Sequence, residues 1–342
     1  MSNRKFAALD GGRGLAAFLV VLFHADDIMG RQLVPGGYLA VDFFFLLSGF
    51  VLAFAYDGKI HSIGLGRFAV IRFARLYPLY ALGLAFGVLR NLAALTLEMG
   101  HPLAIGDLGV ATLLNLFLLP APIDPDGNLF PLNVPAWSLF FELIANIAFA
   151  GLLLSKVSWL SKWVVAGAGA VTAILIIMKG HSGAGAHISD LADGFFRAVF
   201  CYGFGQIIFR ARHRLTSMSL PVPLLAAGLF APMIIPVPNN YRAYADLVFV
   251  FIWFPALVVL AANAELKRSA SAALWLGLVS YAVYIVHYPL LGFVEGATKV
   301  LGVSGLLTAP LFAFLLLPAC WAIDRYFDIP MRDRLLGALD RR

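Results

Sequence analysis

The 342 residues are 61% apolar and only 13% charged, with a mean hydropathy of +0.87. A water-soluble domain carries roughly a quarter charged residues, and half that supply cannot coat globules of this total size, which excludes a pair of soluble domains. The net charge of +6 is scattered over short segments without a dense basic run, a pattern that gives no reason to expect nucleic acid as a partner.

A membrane-spanning helix needs about 20 mostly apolar residues. In chain order the sequence predicts spans over 9–28, 37–56, 74–95, 135–155, 162–178, 192–210, 220–237, 245–264, 273–295 and 303–323. The first run, Leu15 to Phe23 after Arg4 and Lys5, has the outline of a signal peptide. It ends at His24, Asp26 and Asp27 without a small-x-small cleavage site, and it is read as a retained first helix. The stretch 105–119 is short and is followed by Pro120, Pro122 and Pro125, so it is expected to be a partial or interfacial helix that does not cross. With both termini cytoplasmic, 18 of the 25 Lys and Arg residues then fall on the inner side and 5 on the outer, with Arg13 and Arg197 left inside helices. Cytoplasmic loops carry such an excess, and letting 105–119 cross would reverse every later loop. The expected fold class is therefore all-α: a polytopic integral membrane protein of about ten transmembrane helices. Residues 1–342 are expected to form one transmembrane domain without an appended soluble one. Cys201 and Cys320 lie in apolar stretches and show neither a disulfide pattern nor metal-ligand spacing; no metal site is expected.

Ionisable groups within the hydrocarbon are costly unless they pair or line a cavity, so each is a functional candidate. Depth along the spans sorts them into two layers. Arg13, in the inner half of the first span, joins Arg72 and Arg75 at the inner start of the third. His24, Asp42, Glu142 and His287 fall in the outer halves of the first, second, fourth and ninth spans. Arg13 and His24 are eleven residues apart, so they share a helix face at about 20° and lie about 16 Å apart along the axis. That face either serves chemistry or holds a snorkelling arginine and a histidine satisfied by a neighbouring helix. Arg72 and Arg75, in IRFARLYPLY (71–80), either clamp a polyphosphate in forked fashion or are ordinary positive-inside anchors. Asp42 sits in AVDFFFLLSGF (40–50), where an unpaired carboxylate is expensive, while Ser48-Gly49 beyond it reads as a close-packing pair. Glu142 follows Pro135, Trp137 and Ser138 in VPAWSLFFELIANIAF (134–149). His287 precedes Pro289 in SYAVYIVHYPLL (280–291), and is either an acid–base group or a structural histidine bonding a carbonyl that the proline frees.

Taken together, LDGGRGLAAFLVVLFHA (9–25), AVDFFFLLSGFVLAFAY (40–56), RFAVIRFARLYPLY (67–80), VPAWSLFFEL (134–143), SYAVYIVHYPLL (280–291) and IDRYFDIPMR (323–332) resemble the membrane-bound acyltransferase 3 family, bacterial enzymes that O-acylate carbohydrates. The resemblance runs from the first helix to the last. Gly12, Ala40 and Val286 depart from it, standing where a large apolar residue, Gly and Trp are usual. The resemblance implies an inner-membrane O-acyltransferase with Arg13 and His24 as essential residues and Arg72 and Arg75 as the cytoplasmic motif. It implies acyl-CoA, acetyl-CoA in the simplest case, as donor substrate with no cofactor bound permanently. A glycan or lipid-linked sugar would be the acceptor, and membrane lipid the surroundings. His24 suits a general base, since an imidazole near pKa 6.5 accepts a proton at neutral pH. Asp42 or Glu142 would fix its tautomer, as the acid does in a catalytic triad, and His287 would be a second acid–base group or a structural partner. The rival expectation is a transporter or flippase of a glycan or lipid-linked sugar, which would bring inverted repeats or paired broken helices; the sequence shows neither.

Overall fold

The structure, a computed structural model, describes residues 6–215, 218–266 and 269–340. The basic residues Arg4, Lys5, Lys267, Arg268, Arg341 and Arg342, assigned to the inner side, lie outside them. The described chain is helical: α1 (Ala7–His24), α2 (Asp26–Met29), α3 (Leu39–Tyr56), α4 (Ile60–Ile63), α5 (Leu65–Thr96), α6 (Ile105–Leu116), α7 (Ala136–Leu154), α8 (Ser161–Lys179), α9 (Leu191–Leu215), α10 (Val222–Ile234), α11 (Asn239–Val248), α12 (Phe254–Ala262), α13 (Ala270–Leu301), α14 (Gly305–Ile323) and α15 (Ile329–Asp340). A π-turn, Phe249–Trp253, joins α11 to α12, and another, Asp324–Asp328, joins α14 to α15. Among the described residues the extended backbone pairs only in a single bridge, Asn128 to His187.

Among the described residues, eight helical stretches are long and apolar enough to cross a membrane. They cover the expected spans except two. α9 has the length but carries Asp193, Arg197 and Arg210, and α10 has only 13 residues. Contacts nevertheless place both in line with the rest. Arg210 of α9 reaches Asp57 just past α3 at 2.7 Å, and the backbone at Met233, near the end of α10, accepts a bond from Gly36, just before α3 begins. The chain therefore runs to and fro between a basic end, where α1 starts, and a histidine end, where α1 stops.

The stretch 105–119 contains a helix that does not cross. α6 starts beside Asn91, whose side chain brackets Leu103, and descends along α5 until Tyr77 and Tyr80 donate to the carbonyls of Leu116 and Asn115. The chain then turns back: Ala121 pairs with Leu129, Leu129 with Ala186, and Asn133 Nδ2 reaches Ile285 O on α13 at 2.8 Å. Backbone outside a helix is tolerated at membrane depth only where protein satisfies it, and these bonds do that. The segment is re-entrant.

Small residues set the central packing. α1 lies along α13 so closely that a Cβ at Gly14 would fall 2.5 Å from Leu276 Cβ. The Gly49 expected to pack does so: a Cβ there would come within 1.8 Å of Tyr202 O on α9. Such close approach is how helices associate where lipid removes the hydrophobic drive. Cys201 and Cys320 are buried and unbridged.

Candidate active site

His24 closes α1, and its ring meets that of His287 on α13. His287 Nε2 lies 3.1 Å from His24 Nδ1. Each Nδ1 also lies 3.0 Å from the carbonyl one turn back, Val20 O for His24 and Val283 O for His287. A carbonyl only accepts, so in the neutral pair both Nδ1 atoms carry hydrogens. His24 Nδ1–H is then shared between Val20 O and the lone pair of His287 Nε2, and His24 Nε2 is left as the basic nitrogen. His287 is completely buried, whereas His24 is half-buried. Pro289 does free a carbonyl, that of Ile285, but Asn133 takes it rather than His287.

Neither carboxylate expected to orient His24 touches it. Asp42 is buried on α3 and held in forked fashion by Arg197 of α9, at 3.0 Å from Nε and 2.9 Å from Nη2. Arg197 also donates to Ala184 O, and Ser182 Oγ lies 3.4 Å from Asp42. The pair thus ties α3 and α9 to the loop before α9. Glu142, expected in the outer layer with His24, instead accepts from Ser48 Oγ at 2.5 Å and from Arg72 at 3.4 Å. Ser48 is therefore a hydrogen-bond donor as well as a packing residue. The physical reason for both corrections is the same: a carboxylate in hydrocarbon goes to the nearest guanidinium, and each helix pair offered one.

At the basic end Arg13 donates to Gly277 O at 2.9 Å and to Asp10 at 3.2 Å. Arg72 is buried against Glu142, and Arg75 is exposed. Arg75 lies within electrostatic reach of Arg72, Arg13, Arg332 and Glu142, so the three arginines expected to act together do converge. Two of them keep unused capacity, since Arg13 Nε and Arg72 Nε are buried without a hydrogen-bond partner. Arg332 of α15 joins them, held 3.5 Å from Asp328 in the π-turn that precedes its helix. Clustered guanidinium groups are the chemistry that suits a polyanion. At the opposite end the short helix α2 holds Asp26, whose carboxyl burial pushes up to about 6 against the opposing Leu33 N–H.

A family model described as an acyltransferase domain matches residues 6–325, nearly the whole chain. The chain belongs to the acyltransferase 3 family. It is 43% identical over 157 residues to protein 2 in the picA locus of Rhizobium radiobacter, covering 43% of this chain and 81% of that protein. It is 32% identical over 143 residues to the exopolysaccharide production protein ExoZ of Rhizobium meliloti, covering 41% of each. It is 24% identical over 324 residues to the peptidoglycan O-acetyltransferase OatA of Listeria monocytogenes, covering 84% of this chain and half of that one. The chain thus spans less than two thirds of the latter two proteins. No solved structure matches.

Within this acyltransferase fold, sequence reasoning missed two side chains that hold the site. Arg197 had a signal, because an arginine in FFRAVF (195–200) demands a buried acid and Asp42 lacked a partner. Asn133 had none, since nothing local marks the asparagine that will cap a proline-freed carbonyl 152 residues away.

Proposed function

We propose that this multi-pass membrane acyltransferase moves an acyl group, acetyl in the simplest case, from cytoplasmic acyl-CoA to a hydroxyl of a cell-surface or lipid-linked glycan, in the bacterial inner membrane. The observation that carries the reading is helix α1. Its one face ends in the His24–His287 pair and, eleven residues earlier, enters the arginine cluster through Arg13. CoA has phosphates at one end and a thioester at the end of a long flexible arm. Arg72 and Arg75 take the phosphates, and Arg13 lies on the way to His24.

His24 Nε2 removes the proton from the acceptor hydroxyl as that oxygen attacks the thioester carbonyl. The tetrahedral intermediate then expels CoA thiolate, which takes the proton back from the His24 imidazolium. One C–O bond forms, one C–S bond breaks and no charge is left over. His287 acts as positioning residue, because its Nε2 lone pair joins Val20 O in keeping the His24 proton on Nδ1 and the base on Nε2. Asp42 and Glu142 support the site through Arg197, Ser48 and Arg72. The names of the exopolysaccharide and peptidoglycan relatives support a glycan acceptor.

Membranes containing the protein, given labelled acetyl-CoA and a glycan acceptor, should transfer label to the glycan. His24→Ala should abolish that transfer with membrane insertion intact. Near-normal transfer by purified His24→Ala protein would remove His24 from the mechanism.

A further inference from the structure

Tyr288 follows His287 on α13, and its half-buried ring stands edge-on to both histidines, with centroids 5.4 Å from His24 and 6.4 Å from His287. Arg90 reaches it from α5, with its guanidinium carbon 5.6 Å from the ring centroid. The arginine stem crosses α13 at Gly292, one turn beyond Tyr288, where a Cβ would fall 2.4 Å from Arg90 Cδ. Glycine at 292 is thus what lets Arg90 lie there. Asp27 of α2 and Asp124 of the re-entrant segment come within electrostatic reach of the Tyr288 hydroxyl. Asp124 is occupied in part by Asn128, at 2.7 and 2.6 Å, while Asp27 is exposed. Lys299, also near Asp27, is paired with Glu295 at 2.6 Å.

Four separate elements therefore bring an aromatic ring, a guanidinium and carboxylates to one place beside the proposed base. This is the chemistry that recognises a sugar: a ring for the apolar C–H face of a pyranose, donors for its oxygens and acceptors for its hydroxyls. The charge balance adds a selection. Around Tyr288 one cation faces two carboxylates, so an acidic sugar meets a like-charge excess beside this ring. We propose that Tyr288, Arg90 and Asp27 form an acceptor subsite that takes an uncharged sugar in preference to a uronic acid. The proposal rests on the acyl-transfer reading and adds to it where the acceptor sits and which class it belongs to.

The test uses the full chain in membranes, with acetyl-CoA as donor and two oligosaccharides of equal length as acceptors, one neutral and one uronic. The neutral one should show a KM lower by about fivefold, the effect of roughly one unlike-to-like charge contact near water. Tyr288→Leu should raise the neutral acceptor's KM about tenfold, the size of a lost aromatic contact, with the KM for acetyl-CoA unchanged. Arg90→Met and Gly292→Val, which displaces the Arg90 stem, should act in the same direction. Equal KM values for the two sugars, or unchanged acceptor KM in all three variants, would overturn the subsite. If the protein cleaves acetyl-CoA in a His24-dependent manner but acylates neither sugar, the subsite fails and the acyltransfer reading stands. If it turns over no acetyl-CoA at all, both fall together.

Discussion

The chemistry of the histidine end reduces to one proton on one nitrogen. Val20 O and Val283 O force hydrogens onto both Nδ1 atoms, and His287 then has nothing to offer His24 except a lone pair. Removing that lone pair leaves His24 in place with Val20 O alone to hold its Nδ1 proton, so the tautomer and the ring angle are less firmly fixed. His287→Ala should therefore lower kcat by about 10²-fold, within the usual range for losing control of a general base, while the KM for acetyl-CoA stays constant in steady-state assays. A rise in donor KM instead would move His287 from proton control to donor binding. Arg72 and Arg75 should behave oppositely. Paired Lys replacements keep the charge but lose the planar fork, so donor KM should rise with kcat little changed. Normal donor affinity in the double Lys variant would leave both as anchors of orientation.

At the scale of elements, the buried Asp42–Arg197 pair is a joint between α3 and α9, and its energetics follow from desolvation. Removing one partner strands a charge in the interior, which costs about 3–5 kcal/mol. Arg197→Met should thus strongly lower the melting temperature of the purified protein in detergent, and adding Asp42→Leu should recover much of the loss. A double variant no more stable than the single one would mean that Arg197 acts through Ala184 and Trp137 instead. The helices themselves were legible from apolar runs and capped by loops of charge, as α3 and α7 show by starting within two residues of their expected limits. α6 was legible as a helix that does not cross, because Pro120, Pro122 and Pro125 forbid its continuation. Its return into the protein was not, because that depends on Tyr77, Tyr80 and Asn133 supplying partners from distant segments. The candidate site divides in the same way. Periodicity along α1 placed Arg13 and His24 on one face, but no local rule assigns a carboxylate to its arginine, and Glu142 went to Arg72 rather than to His24.

For the whole molecule, the to-and-fro path makes a definite statement about sidedness. Reporters inserted at Gly30, at Asp126 and at Gly185 should read as external, and those at Gly58 and after Leu215 as cytoplasmic. An internal reading at Asp126 would turn α6 into a full span and invert everything after it. The His24–His287 contact constrains that outcome too, since both residues belong to the same end of the bundle. The central claim is that acyl groups pass to a glycan at the histidine end through His24. It is tested most directly by reconstituting the purified protein in sealed vesicles, with labelled acetyl-CoA on the side bearing the arginine cluster and a glycan acceptor on the other. The expected result is label on the trans-side glycan in the wild-type protein and none with His24→Ala. Equal labelling by both proteins, or labelling only when donor and acceptor share a side, would contradict it.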